Sequence, residues 1–302
     1  MTAPPAPLPG GFDEAELQRV LDQACSAVGL NPKGAQLLRG HTNAVVRLSA
    51  APVVVKVARR GSKFENVQRT AKFVQWLMDR GFPTVPLYPV DGQPLEVDGH
   101  AVTYWTYLPQ PEHSLSAAQI AKPLFALHSL PIPPFALPAL DNLRAIRLSI
   151  RSITALSDET NLFLAERAER LKKALHTVEY VLPKGVVQGD PQHRNALFDG
   201  DETVLCDWDT VAVGQPEWDL VTLEIHCRRF GYSHDHYKEF ADTYGFDVTC
   251  WPHFPILRDI RELRMITTNA RKISHAPLSR GEIERRITGL HHEDTSLRWN
   301  IL

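Results

Sequence analysis

Residues 186–198, VVQGDPQHRNALF, and residues 204–214, VLCDWDTVAVG, decide how the chain is read. They place Asp190 five residues ahead of Asn195 and set Asp207 just beyond a turn-forming Asp199-Gly200-Asp201. Both runs begin with β-branched residues, so they are expected to form the arms of a hairpin that brings the three polar side chains to one end. A carboxylate in such a place can orient an attacking hydroxyl and take its proton. An amide oxygen and a second carboxylate are hard ligands, suited to holding Mg²⁺ against the phosphates of a nucleotide. Asp190 fits the first task, Asn195 and Asp207 the second. Taken singly, D-x-x-x-x-N is equally a capped turn. Three elements in this order narrow the reading to phosphoryl transfer.

The layout resembles the catalytic and metal-binding loops of protein kinases, in which H-R-D-x-x-x-x-N precedes D-F-G. Gly189 in place of the kinase arginine, D-W-D in place of D-F-G, and the G-x-x-E-W-D-L of residues 214–220 bring it closer to the aminoglycoside phosphotransferase and choline kinase superfamily. The resemblance spans nearly the whole chain and is specific across residues 186–220. It implies an α+β, bilobal protein-kinase-like fold, with a small β-rich N-lobe and a larger, mainly helical C-lobe. It also implies a kinase that uses ATP and Mg²⁺, with Asp190 as the catalytic base and Asn195 and Asp207 as metal ligands. One departure is Gln188, where many relatives carry histidine; glutamine still donates and accepts.

The implied reaction moves the γ-phosphate of ATP to a hydroxyl of a polar acceptor. An amino sugar or aminoglycoside is the acceptor the family suggests, and choline, other sugars and amino-acid alcohols are alternatives. A pseudokinase-like module that binds nucleotide without turnover is the competing class. The retention of Asp190, Asn195 and Asp207 together argues against it.

A chain of 302 residues has room for two modest lobes. Its net charge of −2 and the absence of a Lys/Arg block give no sign of a nucleic-acid partner. No apolar run approaches the ~20 residues of a membrane span, and the opening MTAPPAPLPGGF has neither the basic nor the apolar part of a signal peptide. These features point to a cytoplasmic protein with no obligate protein partner. The four cysteines are widely spaced and read as buried thiols. The thirteen histidines show no H-E-x-x-H or similar spacing, which leaves no transition-metal site to expect.

Residues 1–12 read as a disordered lead, 13–105 as the nucleotide-binding lobe and 106–302 as the catalytic and acceptor-binding lobe. In the first lobe, Asp13 with Glu16 resembles a capping box for a helix that ends near Gly29. Apolar stretches at 36–39, 43–48 and 53–58 read as an antiparallel meander, Ser62 with Glu65 as the start of a helix to about Arg80, and 95–97 and 100–107 as two more strands. Helical spacing takes over after Ser116, with helices expected near 143–156, 159–181, 217–229, 236–244 and 257–273. His291-His292 falls in what reads as a polar tail. The string VTYWTYLPQ ends in Leu108-Pro109 and marks the crossover near Thr106. Its backbone is expected to meet the adenine, while Tyr104, Trp105 and Tyr107 are ordinary packing residues.

Lys56 interrupts the apolar run VVVKVA, a costly place for a charge without a partner. Its position in the resemblance implies contact with the α- and β-phosphates; an alternating strand with Lys56 facing water is the plainer alternative. Glu65 is the available carboxylate to brace it, although by spacing from Trp76-Leu77 the family's glutamate position falls at Thr70. Gly40, Thr42 and Asn43 stand where a phosphate-covering loop is expected. Asp209 is read as a second metal ligand or as a partner of a loop amide, and Asp219 as a helix-start carboxylate that buttresses the catalytic loop. Glu224, Asp235, Asp259 and Glu262 are the acids available to an acceptor amine, and R-D-I-R-E-L also reads as an ion-pair ladder along one helix.

Overall fold

The computed structural model describes residues 12–40, 43–274 and 276–302. They form two compact units: residues up to His113 together with Leu197–Asp209, and Ser114–Ala196 together with Thr210–Leu302.

The first unit begins with Phe12, the last residue of the expected disordered lead. It is 2% exposed and stacks on His100. Helix α1 (Glu14–Ala27) follows, capped by the Asp13 carboxylate on the Glu16 amide at 3.0 Å. Only this half of the expected capping box forms, because the Glu16 carboxylate turns to Arg60 (2.8 Å) and His100 (3.2 Å). Strands β1 (Gln36–Arg39), β2 (Ala44–Arg47) and β3 (Val53–Val57) make the expected meander. Helix α2 (Phe64–Met78) starts from Lys63 without a side-chain cap, so the Ser62/Glu65 box is absent. Gly81 then turns the chain with φ 64°, a left-handed value that glycine adopts freely. Strands β4 (Leu95–Val97) and β5 (His100–Thr106) complete a five-stranded antiparallel sheet in the order β1-β2-β3-β5-β4. Alternation in β3 buries Val53, Val55 and Val57 against the apolar face of α1 and leaves Lys56 on the opposite face.

The second unit opens with α3 (Ala117–His128), where Ser116 and Gln119 form a reciprocal capping box. Helices α4 (Asn142–Arg151) and α5 (Asp158–Leu175) lead to strand β6 (Gly185–Val187). The chain then supplies the first unit with the hairpin β7 (Ala196–Asp199) and β8 (Glu202–Leu205), which turns at Gly200 as expected. Val186 and Val187 are not part of this hairpin. They pair antiparallel with Val213 and Ala212 of β9 (Ala212–Gly214), back in the second unit. Helices α6 (Glu217–Arg229), α7 (His234–Tyr244), α8 (Phe254–Ala270) and α9 (Arg280–His291) follow. The last corrects the polar-tail reading: Ile283, Ile287 and Leu290 lie one helical turn apart and pack into the core made by α4, α5 and α8.

The division also moves the expected boundary at Thr106. Residues 106–113 stay with the first unit because Gln110 holds the backbone of Phe198 on both sides, accepting from its N–H at 2.9 Å and donating to its C=O at 3.0 Å. Leu205 is held the same way, donating to Pro83 and accepting from Val85, each at 3.0 Å. These bonds make β7 and β8 part of the smaller unit instead of the larger one. Among the described residues no helix is long and apolar enough to cross a membrane.

Candidate active site

In the first unit the charges gather around Lys56. Its ammonium donates to Asp207 at 3.0 Å and to Asp209 at 2.8 Å. Burial would lower the lysine pKa, but the two carboxylates outweigh it and raise the value, so Lys56 is a fixed cation. The Asp-Trp-Asp spacing is what makes this possible. Trp208 is fully buried, edge-on to Phe73 and Phe82, with its indole N–H on Thr84 Oγ1 at 2.8 Å. With the ring anchored, the flanking aspartates come out together toward the lysine. Asp207 has φ 56°, a left-handed conformation uncommon outside glycine and often found at functional sites. Asp209 also accepts from the Asn43 side chain at 2.8 Å, so the side chain expected to reach phosphate instead ties its loop to the aspartate. Gly40 is buried beside that loop, and Thr42 lies outside the described residues. Glu65 does not brace Lys56. It is exposed, and among the described residues it forms no ion pair.

In the second unit the loop after β6 is fixed through its backbone. The buried Asp219 carboxylate, in the first turn of α6, accepts from the amides of Gln188 (2.7 Å) and Gly189 (2.9 Å), and its Oδ2 also meets His128 at 3.0 Å. Trp218 adds an indole N–H on the Gly189 carbonyl, and Thr210 a hydroxyl on that of Gln188, both at 2.9 Å. Gly189 is required here: at φ 87°, a Cβ would sit 2.5 Å from the Thr210 carbonyl oxygen. Gln188 takes the place of the family histidine and accepts from the Asp190 amide at 2.6 Å. The Asn195 amide nitrogen donates to the Asp190 carbonyl at 2.9 Å, which leaves its oxygen as the atom able to ligate a cation. An amide oxygen is a hard donor of the kind Mg²⁺ prefers.

Asp190 itself is held by Gln192 (Nε2 to Oδ2, 3.0 Å) and by Arg261 of α8, whose Nη2 donates to Oδ1. Burial would raise its pKa, but Arg261, helped by His226 and Arg264, outweighs that and holds the carboxyl below the usual range. The group is ionised and able to accept a hydrogen bond from a hydroxyl. The family model described as "Phosphotransferase enzyme family" matches residues 33–254, a span that takes in Lys56, Asp190, Asn195 and Asp207. The chain belongs to this family.

Solved structures agree with the phosphotransferase assignment at the level of fold. An amicoumacin kinase in complex with AMP-PNP and Ca²⁺ superposes with a TM-score of 0.69 at 12% identity, with 96% of each chain covered. A choline kinase from Streptococcus pneumoniae gives 0.66 at 15% identity over 91% of this chain and 99% of the other. A spectinomycin phosphotransferase bound to ADP and spectinomycin gives 0.63 at 14% identity over 90% and 93%. A search of curated proteins returns no match. The protein is thus a phosphotransferase with a kinase-like α+β fold.

The acids proposed for an acceptor amine are engaged elsewhere in the second unit. Glu224 pairs with Arg228 at 2.7 Å, and Glu262 with Arg228 at 2.9 Å and Arg229 at 2.7 Å. Asp259 meets Arg258 at 2.7 Å and Arg167 at 3.4 Å, while Asp235 is exposed at the start of α7. R-D-I-R-E-L is therefore not a ladder along one helix, since Glu262 is spent on α6 and Arg261 on Asp190. Arg261 was missed for that reason: its carboxylate is 71 residues away in sequence. The fold also gathers His193, Cys227 and His236, whose ligand atoms lie within 4.8 Å of one another. The two imidazole Nε2 atoms are 2.8 Å apart, His236 Nε2 accepts from the Ala117 amide, and Tyr232 stacks on both rings. No sequence spacing signals this group. None of the four cysteines is in a disulfide; Cys25 and Cys227 are buried, Cys206 half-buried and Cys250 exposed, so the buried-thiol reading holds for two of them.

Proposed function

We propose that the protein is a Mg²⁺-dependent small-molecule kinase that carries the γ-phosphate of ATP to a hydroxyl of a polar acceptor. The acceptor oxygen bonds to the γ-phosphorus as its proton passes to Asp190, and the bond from that phosphorus to the β–γ bridging oxygen breaks, its electrons leaving with ADP. Asn195 and Asp207 would hold Mg²⁺, which supplies neutralisation of the phosphate charge. Lys56 steadies the phosphates, and in exchanging Asp207 for them it would free that carboxylate for the metal. The reading places the enzyme in the cytoplasm, where ATP is plentiful and free thiols persist.

The observation that carries the proposal is the construction around Asp190. Five hydrogen bonds from Asp219, Trp218, Thr210 and Gln188 fix the backbone of residues 188–190, and Arg261 keeps the carboxylate charged. A loop that only had to turn needs no ionised carboxylate at its apex. The test is an acceptor screen with ATP and Mg²⁺ that includes amino sugars, aminoglycosides, choline, neutral sugars and hydroxy acids, read by ADP release and by product mass. A product heavier by one phosphoryl group, lost in Asp190→Asn, is expected. Slow ATP hydrolysis with no phosphorylated acceptor anywhere in the screen would point instead to a nucleotide-binding module.

A further inference from the structure

We infer that the acceptor carries an anionic oxyacid group, a carboxylate or a phosphate, close to the hydroxyl that is phosphorylated, and that Arg264 and Arg261 bind it. The inference rests on the kinase reading above and gives the acceptor's chemical class. Arg261 and Arg264 are three residues apart on α8, so they project from one helix face. Their guanidiniums lie 5.7 and 5.6 Å from the centre of the same Trp218 ring, and the Trp218 indole N–H holds the Gly189 carbonyl of the catalytic loop. Both cations are thereby delivered to the base.

The charges do not balance there. Asp190 is one carboxylate facing two guanidiniums, and Arg261 already occupies its Oδ1. Arg264 bonds the neutral side-chain oxygen of Asn142 and, among the described residues, pairs with no carboxylate. Burial together with the Arg261 charge brings its pKa down to about 10, as expected of a desolvated cation short of negative charge. The Nε of Arg261 and the Nε2 of His226 are buried without a hydrogen-bond partner. A guanidinium N–H left in this state is costly unless something arrives to use it, and an oxyanion supplies acceptors and charge together.

The opposite acceptor chemistry is poorly served. Glu224, Glu262 and Asp259, the acids near enough in sequence to suggest an amine site, are each paired with one or two arginines. An acceptor amine would have to break a buried ion pair to reach Glu262 and would meet repulsion from Arg261 and Arg264 at the base itself. Because Arg261 touches Asp190 directly, an anion on its guanidinium sits within a few bonds of a hydroxyl on that carboxylate. Small hydroxy acids and hydroxyalkyl phosphates have this arrangement.

The experiment measures binding to the full chain saturated with Mg·AMP-PNP, so that the groups serving nucleotide phosphates are occupied. Glycerate, glycerol 3-phosphate, glycerol, ethanolamine and neamine are titrated by calorimetry or ligand-observed NMR against the wild type, R264Q and R264K. At least one of the two anions is expected to bind ten-fold or more tightly than glycerol and ethanolamine, and the stronger one tells carboxylate from phosphate. R264Q should erase the preference without changing Mg·AMP-PNP affinity, and R264K, which keeps the charge, should retain most of it. Tighter binding of ethanolamine or neamine, no binding of either anion, or an anion preference indifferent to R264Q would each overturn the inference. Failure of the kinase reading shows separately, as the absence of any phosphorylated product in the ATP screen; the binding outcomes above still decide the anion preference.

Discussion

The two units solve opposite electrostatic problems. Around Lys56 one ammonium is shared by two carboxylates, Asp207 and Asp209, so the centre is left with an excess of negative charge. Around Asp190 one carboxylate is shared with Arg261 and overlooked by Arg264, so the excess is positive. Each sign suits a different visitor. A surplus of carboxylate oxygen is what a divalent cation needs before it can hold phosphates, and a surplus of guanidinium keeps a base ionised while favouring an anion beside it. The residue that would be called catalytic in each unit is thus defined by the charges set against it.

The strongest way to break this comparison is to remove the carboxylate set against Arg261 and Arg264 in the second unit. Asp190→Asn should cut turnover by roughly 10²–10⁴-fold while circular dichroism shows the fold retained. Full activity in that variant, with a verified acceptor, would end the role of Asp190 as base. In the first unit, Asp207→Ala should weaken Mg·AMP-PNP binding by about ten-fold or more in calorimetry, in line with the loss of a charge-assisted contact worth ~1.5–3 kcal/mol. Unchanged affinity would take Asp207 out of the metal site.

Smaller effects sharpen it. Asp219→Asn places an amide where two backbone N–H groups donate, so turnover should fall by about ten-fold through a loosened loop, with KM less affected, as a pre-steady-state comparison would show. Arg261→Gln tests the charge balance itself. In the folded protein the Asp190 pKa is depressed, so the pairing contributes stability above the unfolded carboxyl value and loses it as pH falls through the folded one. Without Arg261, burial is less opposed and the Asp190 pKa rises. The acidic limb of the pH–rate profile should therefore move to higher pH; a limb that stays in place would separate Arg261 from the base. The smallest effect is expected from Glu65→Ala, which should leave nucleotide affinity within about two-fold of wild type, because Lys56 draws its counter-charge from residues 207 and 209.

Local signals carried most of the architecture. The meander, α2, the β7–β8 hairpin and α6 follow from β-branched runs, helical spacing and a turn at Gly200, all of which operate over a few residues. Lys56 stood out because a charge in an apolar strand is a conflict visible in five letters. What stayed hidden depends on distant segments. Val186 and Val187 lie next to the hairpin in sequence but pair with β9, and nothing in VVQG says which neighbour a strand will take. Glu16 and Glu65 both looked like capping-box members, yet Glu16 is claimed by Arg60 and His100 and Glu65 faces solvent. Capping residues and tertiary partners are drawn from the same residue types, so spacing alone does not separate them. The α9 helix was overlooked because its apolar residues are few and spread among Arg and Glu, although three of them suffice to seat it. Among the acids of the larger unit, the sequence showed the charges and the fold showed that their creditors were arginines.

The excursion of Leu197–Asp209 into the smaller unit has a practical consequence for anyone wishing to exchange specificities between such enzymes. A single splice near His113 would carry Lys56 into the hybrid but leave Asp207 and Asp209 behind, parting the ammonium from both of its counter-charges. A hybrid that keeps one parent's nucleotide machinery intact needs three junctions, near residues 113, 196 and 209. Shuffling libraries cut once at the apparent lobe boundary should accordingly yield mostly inactive progeny, and those cut at all three should be the ones in which acceptor choice travels as a unit.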